Sequence, residues 1–272
     1  MSNGEICRWA WENSKGNRSV LWEGILFSLI PGLFNVWFSF LWGKSGLISW
    51  WEIPMGWLAQ MLSFGLFFLA LEPVTGRKCD FRDVFLPFHR HILKKAATLS
   101  LFFVLLNTVL TLYPTSLIQR GREMMDAGMA EIERLQITDV ASAAYQQYFE
   151  GSRLTTRGQR LSGILTFPPV LLAIPVNYFL FFREEKSVGE MLAEGAGLVV
   201  RFFWRILGLG LRCCSVLIAG CFCVVFIRGR VLPYLVLLVF LVFWLPWSML
   251  ASAKLAAEMI GVGPEDPWWA RT

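Results

Sequence analysis

The chain has 272 residues, 56% of them hydrophobic and 17% charged, with a formal net charge of +5. Soluble domains average about 25% charged, so little of this surface can face water. The basic excess is spread over several short segments, which fits anionic lipid headgroups and argues against a nucleic-acid surface, where one concentrated basic face is needed.

Residues 5–19 set Ile6, Trp9 and Trp11 among Glu5, Arg8, Glu12, Lys15 and Arg18. This mixture predicts a short interfacial segment with indoles at headgroup depth, and it lacks the apolar core of a cleavable signal peptide. The first spanning helix then serves as the insertion signal. It occupies 24–43, carries no charge and has Pro31-Gly32 as a kink, with Glu23 at its entrance reaching water. Residues 44–52 make a short loop with Trp50 and Trp51 as anchors, and 53–71 return as the second helix.

Residues 77–95 place Arg77, Lys78, Arg82, Arg90, Lys94 and Lys95 around Phe81, Val84, Phe85, Phe88, Ile92 and Leu93, a basic amphipathic piece interrupted by Pro87. The third charge-free run, 96–119, is expected to distort or end near Pro114. The 120–160 segment is polar. Within it Met125, Met129, Ile132 and Leu135 approximate one helical face, and Thr138 is placed to cap a second helix ending at Gly151. Some forty residues bury little core, so this insertion reads as a helical extracytoplasmic cap or a docking surface for another subunit.

The fourth run, 161–182, contains Pro168, Pro169 and Pro175, which should bend or split it and free carbonyls that then need partners. Residues 187–205 are amphipathic and feed a fifth helix at 206–227; Arg228-Gly229-Arg230 turns into the sixth, whose core 231–253 is 23 uncharged residues. As a helix that stretch spans roughly 34 Å, enough to cross a bilayer. A half-polar helix end and a tail containing Pro and Gly follow Lys254.

The fold expected is therefore all-α: a single polytopic transmembrane bundle of about six helices, with interfacial amphipathic helices and the polar insertion between the third and fourth. Six spans put both termini on one side, which would hold 15 of the 25 lysines and arginines. That side is expected to be the cytoplasm of a bacterium, with the bundle in its plasma membrane. Polar amphipathic stretches lead into spanning helices three times on that face, near 5–24, 77–96 and 187–206, either as a belt bracing the bundle or as the basic leads common to unrelated membrane helices.

Two groups of residues carry a resemblance. Gly76-Arg77-Lys78 leads to Asp80-Phe81-Arg82-Asp83-Val84-Phe85, and Ser187-Val188-Gly189-Glu190-Met191-Leu192 leads to Phe203-Trp204-Arg205-Ile206-Leu207. In this the chain resembles a group of poorly characterised prokaryotic integral membrane proteins similar to the membrane domain attached to some glycerophosphodiester phosphodiesterases. The resemblance implies a six-helix membrane domain and supplies no active residues.

Arg212 is the sharpest anomaly, because a charge inside a spanning helix is costly unless it snorkels, pairs, or meets an anionic lipid, a substrate or a protein partner. Glu23 is a mate only if the first and fifth helices pack together. Asn35, Asn107 and Asn177 lie in apolar runs and can hydrogen-bond across helices or line a cavity. Met125 and Met129 are candidate partner contacts. His89 and His91 diverge on a helix, and Cys213-Cys214 and Cys221-Cys223 lack metal spacing, so no metal or cofactor is expected. G-x-S-x-G, H-E-x-x-H and a phosphate-cradling glycine loop are all missing from the sequence, so no enzyme is expected. The favoured function is a membrane scaffold or accessory subunit, its partners membrane lipid and another membrane or extracytoplasmic subunit. The alternative is a transporter, or a lipid- or small-solute-binding protein, using a cavity beside the proline-broken fourth helix.

Overall fold

A serine opens the first helix. Ser2 Oγ accepts from the Glu5 N–H while Glu5 Oε2 accepts from the Ser2 N–H at 2.6 Å, a reciprocal capping box that satisfies two otherwise orphaned donors. The helix so started is α1 (Asn3–Ser28). The computed structural model describes residues 1–42, 51–136, 142–183, 185–225 and 232–261; the side chains at 42, 217, 219–225 and 232–239 are outside that set. The described residues form seven α-helices and two 3-10 turns, with no strand.

Because α1 runs unbroken through the charged stretch, the expected short interfacial segment is the first half of a 26-residue helix. Its buried stripe of Ile6, Ala10, Leu21 and Ile25 explains why, since packing on a neighbour stabilises helix beyond what local propensity supplies. The neighbour is α7 (Leu232–Ile260), antiparallel to it: Trp247 Nε1 donates to the Cys7 carbonyl at 2.9 Å and Trp22 Nε1 to the Val242 carbonyl at 2.8 Å. The kink expected at Pro31-Gly32 falls just ahead of it. Helix α1 stops at Ser28 and α2 (Ile30–Trp42) resumes after Leu29, because Pro31 brings no N–H for the turn it enters.

Helix α3 (Glu52–Leu71) agrees with its expected span to one residue. Trp51 at its start is 4% exposed and packs near Phe38, so it is a core residue and not an interfacial anchor. Trp50 lies outside the described residues. After α3 a 3-10 turn (Glu72–Thr75) closes on Gly76 at φ 82°, a left-handed position that glycine takes without strain. The 77–95 stretch then divides. Asp80 caps a second 3-10 segment (Phe81–Phe88), and α4 starts only after Pro87, at Arg90.

Helices α4 (Arg90–Leu135) and α5 (Ala143–Phe182) form one long antiparallel hairpin. Pro114 neither ends nor interrupts α4, and Pro168, Pro169 and Pro175 do not split α5. Packing against neighbouring helices holds both, as is common where freed carbonyls lie inside protein. The 120–160 segment is accordingly no cap folded over the bundle but the outer half of this hairpin. Gly151, expected to end a helix, is buried within α5, and Ser142 caps that helix; Thr138 lies outside the described residues. The hairpin is followed by α6 (Val188–Val225), whose amphipathic lead and spanning part are one helix. Ser187 and Glu190 repeat at its start the reciprocal bonds of Ser2 and Glu5.

Helix α3 is central and contacts α1, α2, α4, α5 and α7. The core gathers at one end of the bundle, where Phe64 and Phe68 of α3 meet Leu99 of α4, Phe179 of α5, Met191 of α6 and Leu250 of α7. Elsewhere large apolar side chains point outward, Phe40 at 85% exposure and Trp204 at 80% being the extremes. An apolar exterior of this extent needs lipid or a partner. Among the described residues five segments are long and apolar enough to cross a membrane: 3–41, 52–75, 90–135, 143–182 and 240–260. They overlap the expected first, second, third, fourth and sixth spans; the expected fifth falls on α6, partly on side chains outside the described set.

Candidate functional site

A polar turn lies against the core end. Glu72 is 1% exposed; its Oε2 accepts from the Asp80 N–H at 2.9 Å, and Arg77 Nη1 stands 3.8 Å from its Oε1. Asp83 lies beside the same carboxyl. Cys79 joins this turn to two helices, its N–H donating to Asn17 Oδ1 at 3.1 Å and its thiol to the Leu69 carbonyl at 3.3 Å. Burial, reinforced by the Glu72 charge, pushes the Cys79 thiol up to about 12. These bonds make the turn a structural clasp. Among the described residues no group of three His, Cys, Asp or Glu side chains is placed to hold a metal.

A second polar cluster joins the start of α1, the middle of α6 and the end of α7. Arg205 pairs with Glu258 and donates to the Met1 carbonyl, while the terminal amine stands 3.5 Å from Glu258. Asn3 Nδ2 donates to the Arg205 carbonyl at 3.1 Å. Arg212 lies seven residues farther along α6, about 10 Å deeper by helical rise. A Cβ built on Gly4 would stand 3.0 Å from Arg212 Nη1, so the Arg212 side chain reaches across to the start of α1. Glu23 is nineteen residues along α1 from Gly4, about 28 Å, so the structure does not bring it to Arg212.

The asparagines are dispersed over α2, α4 and α5. Asn177 is fully buried, and neither side-chain amide atom has a hydrogen-bond partner among the described residues. Asn35 and Asn107 each have a buried Oδ1 in the same condition. They do not converge on one site.

Beside the prolines of α5 a cavity of about 490 Å³ lies between α5, α6 and α7, lined by Leu171, Ile174, Ile206, Trp244, Ser248 and Ser252 among others. Its wall is apolar. The hydroxyls of Ser248 and Ser252 are spent on backbone carbonyls within α7, so they offer a hydrophilic solute little.

The outer hairpin has a regular seam that sequence reasoning missed. Pro114, Gly121 and Gly128 of α4 and Ala144, Gly151 and Gly158 of α5 are all buried, each set spaced by seven. A Cβ on Gly158 would lie 2.8 Å from the Pro114 carbonyl, one on Gly121 2.6 Å from that of Gly151, and one on Gly128 2.8 Å from that of Ala144. Spacing by seven is the repeat of a coiled-coil seam, here built from small residues so that two backbones touch. Met125 is taken into this seam, its sulfur 3.9 Å from Thr155 Oγ1, whereas Met129 is 42% exposed. The expected methionine face is thus divided. Around it Phe149 is 48% exposed and stacks on Tyr145 at 6.4 Å. Farther along α5, Arg153, Arg157 and Arg160 line a shallow depression with Leu161 and Ile164.

No protein-family model, no curated protein and no solved structure matches this chain.

Proposed function

We propose that this protein is an integral scaffold or accessory subunit of a bacterial plasma-membrane complex, with both termini cytoplasmic and the α4–α5 hairpin reaching out of the opposite face to hold another subunit. What carries the reading is the hairpin. From 119 to 135, α4 continues for about 25 Å past its apolar run, far more than a turn between two spans requires. The glycine seam makes this arm stiff, and its outer face presents Tyr145, Phe149 and Met129 among charges, the residue types that protein interfaces favour. No catalytic chemistry is assigned.

Stoichiometric capture tests it. The tagged protein, gently solubilised from its own membranes, should bring down one partner at constant ratio, and the Met129→Glu, Phe149→Glu double variant should lose that partner while remaining folded. A solitary protein, or a partner retained undiminished by the double variant, would overturn the proposal.

A second reading, binding of an apolar molecule, is favoured by the cavity beside α5. Its lining suits an acyl chain better than a polar transport substrate.

A further inference from the structure

An open groove of about 760 Å³ runs between α1, α6 and α7, walled by Trp11, Val216, Phe243 and Trp247 among others, with Arg8 at its side. The indole of Trp247 has its N–H committed to the Cys7 carbonyl, so the ring offers the groove only apolar surface. Such a slot is poor for any hydrated molecule and good for a hydrocarbon chain.

Its polar end is different. Gly4 lies one turn before Arg8 on α1, and Arg212 lies one turn before Val216 on α6; Arg212 Nη1 comes within 3.0 Å of the place a Gly4 Cβ would take. Arg8 lines the slot and the Arg212 guanidinium reaches α1 one turn before it. Neither Arg8 nor Arg212 forms an ion pair among the described residues. Glu5, the acidic residue nearest Arg8 along α1, attracts it at a distance but has its Oε2 turned back onto the Ser2 N–H. Arg205, by contrast, is satisfied by Glu258. Two cations without a close ion pair at the head of an apolar slot, on the margin of a membrane bundle, suit an anion joined to a hydrocarbon chain.

We propose that this groove holds one anionic phospholipid, its phosphate between Arg8 and Arg212 and an acyl chain along Trp11, Val216, Phe243 and Trp247. The proposal rests on placement of the bundle in a membrane and is independent of any subunit docked on the hairpin. It gives Arg212 a role at its depth, since a guanidinium there meets lipid phosphate without reaching bulk water. A Cβ at Gly4 would stand 3.0 Å from Arg212 Nη1, so a side chain there would displace the guanidinium slightly.

The test is lipid retention by the full chain, delipidated in detergent and followed by native mass spectrometry with added phosphatidylglycerol, phosphatidylcholine or inorganic phosphate. One equivalent of phosphatidylglycerol should be retained in preference to phosphatidylcholine by roughly thirty-fold, the ratio expected of two cationic side chains facing an anionic headgroup. The Arg8→Gln, Arg212→Gln variant should lose that preference. Val216→Trp, which fills the slot and keeps both cations, should lose the bound lipid. As a check that needs no substitution, phosphatidylglycerol with brominated chains should quench tryptophan emission more than brominated phosphatidylcholine at equal mole fraction. Equal retention and quenching by the two lipids, or inorganic phosphate binding as tightly as the lipid, would overturn the proposal. Partner capture through the hairpin would be unaffected by that failure.

Discussion

Gly121 and Gly151 face each other across the α4–α5 hairpin so closely that a Cβ on Gly151 would stand 2.5 Å from the Gly121 carbonyl oxygen. Glycine inside a helix costs about 1 kcal/mol relative to alanine, so these positions need a reason, and backbone contact is that reason. Gly151→Leu should force the helices apart and cost about 1–3 kcal/mol, lowering Tm in detergent by several degrees. Gly163→Ala is the control: nothing lies within 4 Å of its Cβ position, so Tm should hold or rise. Equal losses in the two variants would mean that the seam is not a packing contact.

Gly65 is under a harder constraint. A Cβ there would sit 1.8 Å from the Val84 carbonyl oxygen, which is backbone and cannot swing aside. Gly65→Ala should detach the Phe81–Phe88 turn from α3 and, with it, the Cys79 and Glu72 clasp. The expected outcome is a loss of monodisperse protein on size exclusion. A variant eluting and melting like the unmodified chain would contradict the close approach.

Cys79 gives a pH signature. Burial raises its thiol from 9.0 to about 12, so the folded protein holds the proton more tightly than the unfolded chain. Its contribution to stability is complete below 9.0 and is lost as pH rises from 9.0 to about 12. Because the thiolate is the nucleophile, Cys79 should resist iodoacetamide at pH 8 in the folded protein and react once it is denatured. Peptide-resolved mass spectrometry reads this directly. Equal labelling rates in folded and denatured protein at that pH would disprove the burial.

Composition and charge-free runs made the helical class legible, and the second span was placed to within a residue, since Glu52 and the Glu72-Pro73 pair bracket it. The prolines misled. Pro114, Pro168, Pro169 and Pro175 carry a local penalty in any sequence, and only the tertiary packing of α4 on α5 decides that the helices run through them. The glycine seam was there to be read as Gly121 and Gly128 against Gly151 and Gly158, but its meaning depends on an antiparallel register that no single helix displays. Arg212 stood out as a charge in an apolar run. Arg8 did not, because among Glu5 and Glu12 it looks like an ordinary solvated arginine until α7 is laid beside it.

The account depends above all on where lipid ends along the hairpin. Spin labels placed singly at Leu101, Val109, Met129 and Phe149, all outward-facing, and read for collision with oxygen and with a water-soluble nickel complex in reconstituted bilayers, test this most directly. Labels at 101 and 109 should be reached by oxygen and shielded from nickel, whereas those at 129 and 149 should be open to nickel. Nickel access at all four sites, or lipid shielding at all four, would contradict a membrane bundle with a projecting arm.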